Sequence, residues 1–282
     1  MKHDPRITPA RGDIAAAALK GKVEADRFVE PTPCLILSEQ VPLRPTADQA
    51  AAYDTVLLHG EPFDVYENAD AGWAWGQSGL DGYVGYVPTS ALTPLPERAP
   101  THRVVTLGAQ LYAAAALKSP PAGRLPLGAR VAVSDVGGDF SRTGNGLWVP
   151  NPQIRPLDQP QKSWVAVAET FEGAPYVWGG RSSDGLDCSA LVQLALQSAG
   201  IDCPRDSDMQ AKDLGKALAT DAALKRGDLI FWKGHVGIML TAKTLLHANA
   251  HHMAVATEPL QRAVTRIEAA GGGAITRRAR LK

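Results

Sequence analysis

The chain has 282 residues, 45% of them apolar and 21% charged, with a formal net charge of +0, the make-up of an ordinary globular protein of about two domains. That balance excludes an overall electrostatic pull toward nucleic acid or an anionic membrane surface. Three cysteines, Cys34, Cys188 and Cys203, cannot all pair within one chain, which argues against a disulfide framework, and no stretch approaches the roughly 18 apolar residues of a spanning helix.

The first residues, "MKHDPRITPARGDIAAAALKGKVEADRF", contain no apolar signal core, so the chain is expected to be cytoplasmic. Within them "PARGDIAAAALKGKVEA" predicts one short helix entered at Asp13, and residues 1–31 are expected to pack along the rest of the chain. A faint repeat follows. "VPTSALTPL" (87–95) and "VPNPQIRPL" (149–157) share Val-Pro, an apolar residue four positions after the Pro, and then Pro-Leu. Each copy is preceded by short alternating segments separated by Gly and Asp turns, the pattern of small β-barrels. The ending "DGYVGYVP" resembles bacterial SH3-like domains. Residues 32–96 are therefore expected to form one such domain and residues 97–160 a second, degenerate one. Cys34 in "PTPCLILSEQ" lies in a strand-like run and reads as core.

Pro150, Pro152, Pro156 and Pro160 mark a stiff linker, and from about residue 161 the pattern becomes helix first and strands afterwards. "SWVAVAETFEG" (163–173) predicts a helix ending near Gly173. After Cys188, the residues Leu191, Val192, Ala195, Leu196 and Ala199 keep helical spacing up to a stop at Gly200. "GDLIFWKGHVGIML" (227–240) predicts two strands around Lys233-Gly234, and "TLLHANA" (244–250) a third. The terminal "RRARLK" (277–282) reads as a solvated tail. A helix feeding an antiparallel sheet makes residues 161–282 an α+β domain behind two small all-β barrels.

Chemistry concentrates at "PYVWGGRSSDGLDCSALVQLAL" (175–196), where a Gly-rich polar loop becomes a helix at Cys188. A helix start directs unpaired N–H groups outward and carries about half a positive charge. A thiolate would be stabilised there, and the thiolate is the nucleophile. Asp187 is placed to cap the helix, and the glycines of the loop allow close backbone approach. A nucleophilic Cys needs a proton acceptor and a group to orient it. His235, just past a turn, suits the first role, and His247 or Asn249 the second. His235 and His247 share a sheet face only if opposed residue numbers sum to an even value. An odd-length connection such as 241–243 would provide this, and a sum of 482 would set the two directly opposite. Asn249 has the same parity, so parity leaves the choice open. Cys203, before Pro204, reads as an unreactive loop residue. His251 and His252 extend the His-rich run, but without a Cys or carboxylate at ligand spacing no metal is expected.

Residues 161–260 resemble the NlpC-type cysteine peptidases, papain-like enzymes that cut bacterial cell-wall peptides. The resemblance lies in "PYVWGG", "GLDCSALVQ", "RGDLIFW", "HVGIML" and "LLHANA", in that order. It implies Cys188 as nucleophile, His235 as base, His247 as its orienting group and Tyr176 as a donor to the oxyanion. The Cys188 backbone N–H is a second such donor. "CPRDSDMQ" (203–210) resembles the loop by which γ-D-glutamyl-L-diamino acid endopeptidases (dipeptidyl-peptidase VI-like) bind the free amine of an N-terminal L-Ala, here through Asp206 and Ser207. Those enzymes carry upstream SH3-like domains, which implies Glu61 and Tyr83 as further contacts, with Trp73 and Trp75 as alternative walls. Trp178, Asp187 and Ser189 complete the expected substrate-binding set. Ala190, where the family often has Gly, is a mild departure.

The expectation is thus a cysteine endopeptidase cleaving the γ-D-glutamyl-L-diamino acid bond of murein-derived peptides with a free N-terminal L-Ala, in cell-wall peptide recycling. It needs no cofactor, and its partner is the peptide substrate rather than nucleic acid or membrane. The alternatives are an exported wall-remodelling hydrolase, a wall-binding SH3-like protein with an inactive peptidase domain, and an amidase or acyltransferase on a related scaffold.

Overall fold

A computed structural model describes residues 3–281; Met1 and Lys2 of the N-terminal segment and Lys282 of the terminal tail lie outside the described residues. The chain divides into two units between Gln159 and Pro160.

In the first unit, the helix expected from Asp13 does not form. Ile14–Ala16 is a strand that pairs in parallel with Arg27–Val29, and only Ala17–Leu19 makes a 3₁₀ turn. The segment is too short to nucleate a helix alone, and burial of Ile14, Ala15 and Ala16 rewards the extended form. A five-stranded antiparallel sheet follows, in the order Val84–Pro88, Trp73–Ser78, Pro62–Ala69, Thr32–Ile36, Leu92–Pro94, beside the hairpin Gln40–Leu43/Thr55–Leu58. Its core gathers Ile36, Leu43, Leu57, Phe63, Val87 and Ala91, with half-buried Cys34 packed against it. The sequence repeat has a structural counterpart. Val84–Pro88, a 3₁₀ turn at Thr89–Ala91 and Leu92–Pro94 recur as Trp148–Pro150, a 3₁₀ turn at Asn151–Gln153 and Ile154–Pro156. The second copy closes a five-stranded and a three-stranded sheet rather than one.

The second unit opens with helix α1, Trp164–Glu169, whose first turn is capped by the Ser163 hydroxyl accepting the Ala166 N–H at 3.3 Å. It stops four residues earlier than its sequence pattern predicts. Thr170, Phe171 and Glu172 tighten into i→i−3 turns while Phe171 is buried. Helix α2, Cys188–Ser198, has Leu191, Val192, Leu194, Ala195 and Leu196 all within 1% of full burial, so it is covered on nearly every side. Gly200, at φ 74°, ends it. Helix α3 is Ser207–Asp213.

Six strands form one antiparallel sheet: β1 Lys216–Ala217, β2 Asp228–Trp232, β3 His235–Met239, β4 Thr244–Asn249, β5 Ala254–Pro259 and β6 Arg277–Arg280, in the order β1-β6-β2-β3-β4-β5. The β2–β3 turn is Lys233-Gly234, with Trp232 opposite His235. Helix α4, Leu260–Ala269, sets Ala263, Leu260, Val264 and Ile267 on the sheet face formed by Ile230, Trp232, Met239 and Leu245.

The terminal residues correct the reading of a solvated tail. Arg277–Arg280 pairs with Asp228–Phe231. Arg280 holds fully buried Asp228 through Nε–Oδ1 at 2.7 Å and Nη2–Oδ2 at 2.8 Å. A charge-rich segment is thus made a strand by one buried carboxylate. Arg280→Ala leaves that carboxylate unpaired and is expected to cost about 3 kcal/mol, read as a lower urea midpoint. An unchanged midpoint would show that backbone pairing alone retains β6.

Candidate active site

Asp187 builds the entrance to helix α2. Its backbone is extended, and Oδ1 accepts the Ala190 N–H at 2.9 Å, satisfying one of the N–H groups a helix start leaves unpaired. Oδ2 accepts the Gly179 N–H at 3.0 Å, and the Ser189 hydroxyl donates to Oδ1 at 3.0 Å. Arg205, 1% exposed, closes the cluster with Nη1–Oδ1 at 2.9 Å and Nη2–Oδ2 at 2.7 Å, the bidentate geometry that suits a guanidinium to a carboxylate. Burial raises the Asp187 pKa, but the charge and hydrogen bonds of Arg205 outweigh it and keep the carboxyl below its usual range. The glycine loop fits closely around this cluster. Gly179 adopts φ 73°, and a Cβ on Gly180 would lie 2.4 Å from the Gly185 carbonyl oxygen.

Cys188 begins the helix and is 7% exposed. The backbone N–H groups of Val236 and Ser189 favour ionisation of its sulfur. The expected resting thiolate is nevertheless not what this environment favours. Burial first, and the adjacent Asp187 charge second, push the thiol up to about 12. The helix mouth already holds a carboxylate, which removes much of the positive field that a thiolate would use.

Val236 is the neighbour of His235 on β3. His235 Nε2 lies 2.8 Å from His247 Nδ1 on β4, with ring centroids 5.0 Å apart. Burial lowers His235 to about 3, aided by His247 and Arg266 and opposed by Asp187. Burial likewise lowers His247 to about 4, opposed by Glu258. Both rings are therefore neutral around neutral pH.

The hydrogen bond, not the register, distinguishes His247 from Asn249. Ile238 pairs with Leu246 and Met239 with Leu245, an even sum of 484, so the two histidines share a face. The connection is the odd-length 241–243, with the Leu240 N–H bonded to the Thr244 carbonyl at 2.8 Å. That sum is not the 482 of direct opposition, and extended along the strands it would place Asn249 across from His235. His247 makes the contact on the diagonal, a separation long side chains span. Asn249 instead donates to the His247 carbonyl and accepts from the His252 N–H and the His252 ring.

The remaining expected residues separate into groups. Tyr176 is half-buried; burial, then the nearby Cys188 and Asp187, push its hydroxyl up to about 12, so it stays a donor. Trp178 is 71% exposed. Ser189 is engaged internally, accepting from Arg205 Nη1 at 2.9 Å while donating to Asp187. Asp206 and Ser207 are half-buried at the start of α3, on a loop held to the α2 entrance. Arg205 grips Asp187, and Gln210 Nε2 donates to the Ser189 and Pro204 carbonyls at 2.9 Å each. Glu61 and Tyr83 belong to the first unit. Glu61 accepts the Leu58 N–H at 2.9 Å, and Tyr83 is 5% exposed in the barrel core; Trp73 and Trp75 are buried on the strand face opposite core residue Ala74, with Arg11 over the Trp75 ring. Neither is among the residues the second unit itself assembles. Cys34, Cys188 and Cys203 are not joined in a disulfide.

Arg205 and Glu258 were missed. Arg205 lies inside the quoted "CPRDSDMQ", and only the fold brings it to Asp187. Glu258 pairs across from Leu245, so it shares a face with His247, whose Nε2 lies 2.9 Å from Glu258 Oε1. Alternation along β5 could have found it had the 250–253 turn been known. His251 and His252 sit in that turn, outside any strand. Ligand atoms of His247, His252 and Glu258 lie within 4.8 Å of one another. Both His247 nitrogens are already hydrogen-bonded, and Glu258 is paired with Arg266, so cation binding here would break the histidine chain.

Residues 173–268 match the NlpC/P60 family, and residues 43–92 match the bacterial dipeptidyl-peptidase SH3 domain. A γ-D-glutamyl-L-lysine dipeptidyl-peptidase of Bacillus cereus is 31% identical over 145 residues, 48% of this chain and 40% of that protein. Its namesake from Bacillus subtilis is 40% identical over 104 residues, covering 33% and 34% of the two chains. The matches thus span less than half the length of these relatives. A crystal structure of an NlpC/P60 family protein from Bacillus cereus superposes with a TM-score of 0.75 over 88% of this chain and 99% of that one; at 20% identity this is a likeness of fold.

Arg205→Ala leaves Asp187 buried beside Cys188 without its cation. The expected loss is about 3 kcal/mol or more, seen as a lower thermal midpoint, whereas a midpoint within error of the parent would show that Asp187 does not need the pair.

Proposed function

With residues 173–268 an NlpC/P60 domain and residues 43–92 a bacterial dipeptidyl-peptidase SH3 domain, we propose that this protein is a cysteine endopeptidase for the γ-D-glutamyl-L-diamino acid bond of murein peptides bearing a free N-terminal L-Ala. One observation carries the reading: a cysteine opens a helix whose start is capped by Asp187, and on the sheet this helix packs against a histidine is hydrogen-bonded to a second histidine on the next strand. The dipeptidyl-peptidases among the relatives supply the substrate class. We further propose the division 1–31, 32–96, 97–160 and 161–282, with 97–160 a second, degenerate SH3-like barrel on the strength of the repeated strand–3₁₀–strand element.

The reaction starts from a neutral pair. His235 takes the Cys188 thiol proton as the sulfur attacks the carbonyl carbon of the γ-D-glutamyl amide. The oxygen of the tetrahedral intermediate is met by the Cys188 N–H and the Tyr176 hydroxyl. Collapse breaks the C–N bond, and the imidazolium gives its proton to the departing amine. Water, deprotonated by His235, then hydrolyses the thioester and restores the thiol. Burial of the neutral partners favours this order over a resting ion pair.

Asp206 and Ser207 have the chemistry for an ammonium group, and their loop is held on both sides to the α2 entrance. An intact glycan strand caps that amine as a lactyl amide, which would leave the Asp206 site without its cation. The enzyme is thereby directed to peptides already released from glycan, a recycling role for which we propose the cytoplasm as the place.

Turnover of L-Ala-γ-D-Glu-diamino acid and of its N-acetylated form tests the amine reading. The free form is expected to be strongly preferred, with Asp206→Ala lowering kcat/KM for it by roughly tenfold or more; equal use of both forms overturns it. Cys188→Ala is expected to abolish turnover. The raised thiol and lowered imidazoles predict that iodoacetamide labelling of Cys188, followed by peptide mass spectrometry, climbs continuously from pH 6 through pH 9. A plateau already present at pH 5–7 would instead reveal a resting thiolate.

A further inference from the structure

Behind His247 the hydrogen-bond chain continues to an ionised end. Glu258, 6% exposed on β5, accepts at Oε1 from His247 Nε2 at 2.9 Å and from Arg266 Nη2 of α4. Burial raises the Glu258 pKa, but the hydrogen bonds from His247 and Arg266 outweigh it and hold the carboxyl below its usual range. An ionised carboxylate only accepts. His247 Nε2 must therefore carry the proton directed at Glu258. A neutral imidazole has one N–H, so His247 Nδ1 is bare and accepts. The 2.8 Å contact then requires His235 Nε2 to carry a proton, which leaves His235 Nδ1 as the free base. The opposite polarity would need two acceptors facing each other, or a proton added to the fully buried His247 ring.

We propose that Glu258, clamped by Arg266, is a positioning residue that fixes the tautomers of His247 and His235 and so selects His235 Nδ1 as the atom that accepts the thiol proton. The kinetic part rests on the cysteine-peptidase reading; the tautomer part does not. Among the described residues, the charges that act on His235 are those of His247, Arg266 and Asp187, with the Trp232 ring at 5.7 Å, and those that act on His247 are Glu258, Arg266 and His252. Glu258 is the one carboxylate among these that hydrogen-bonds a histidine of the chain. Because a single oxygen takes both bonds, a glutamine amide oxygen can occupy the same position. Charge and hydrogen-bond direction can therefore be separated by mutation.

The test is long-range ¹H–¹⁵N NMR of histidine-labelled protein at pH 7, with His235 and His247 assigned through their Asn variants, alongside turnover of the L-Ala-γ-D-Glu-diamino acid substrate. In the parent, both rings are expected as neutral Nε2–H tautomers with bare Nδ1. Glu258→Gln is expected to keep that signature and a kcat within about threefold of the parent, since it retains the accepting oxygen. Glu258→Ala is expected to mix the tautomers of both rings and lower kcat by roughly 10²-fold, the scale of a lost general base, with KM within about twofold. A parent spectrum showing Nδ1–H on either ring overturns the proposal without any variant. Loss of turnover in Glu258→Ala with the parent's tautomers also overturns it, because the role would then be structural. The predicted tautomers in a parent that turns over no γ-D-glutamyl peptide would instead refute the peptidase reading and leave the hydrogen-bond polarity standing.

Discussion

The site depends on one buried ion pair. Both oxygens of Asp187 are used, and they gather the glycine loop through Gly179, the first turn of α2 through Ala190 and Ser189, and the 203–210 loop through Arg205. A carboxylate in this position is costly to bury and requires a full set of donors. That requirement makes three segments distant in sequence converge on one point. The nucleophile candidate and the loop proposed to read the substrate amine are consequently parts of one cluster. The same charge opposes ionisation of Cys188, so the arrangement that places the sulfur also keeps it protonated until a base is presented.

The base proposed for it comes from the sheet. β3, β4 and β5 each contribute one polar residue to a shared face, and His235, His247 and Glu258 meet along diagonals of the pleat. The apolar residues Ile230, Trp232, Met239 and Leu245 on the same face pack against α4, whose Arg266 closes the polar row. Hydrophobic docking of that helix and ionisation of Glu258 are linked, because one element provides both.

Much of this was legible residue by residue. The β2–β3 turn and the α2 boundaries follow from local rules: a Gly-containing turn between apolar runs, and helical spacing up to a glycine. Parity correctly demanded an odd connection between β3 and β4. It could not choose between His247 and Asn249; the sum of 482 that would set His247 opposite His235 is not the one observed, and His247 reaches His235 along the diagonal instead. The helix expected from Asp13 and the solvated tail at 277–281 failed for a shared reason. Alanines and arginines have good intrinsic helix or solvent preferences, but pairing with a distant strand and burial of Ile14 or Asp228 outweigh them.

The sequence by itself determined the periodic elements, the repeat and the chemistry at the helix mouth, since each is written in neighbours within a few residues. Only the tertiary structure decided which distant charges complete the site. Arg205 reaches Asp187 from a loop, and Glu258 reaches His247 from a strand whose register depends on an intervening turn. Long-range ion pairs leave no local pattern, because their geometry exists only after the backbone has folded around them.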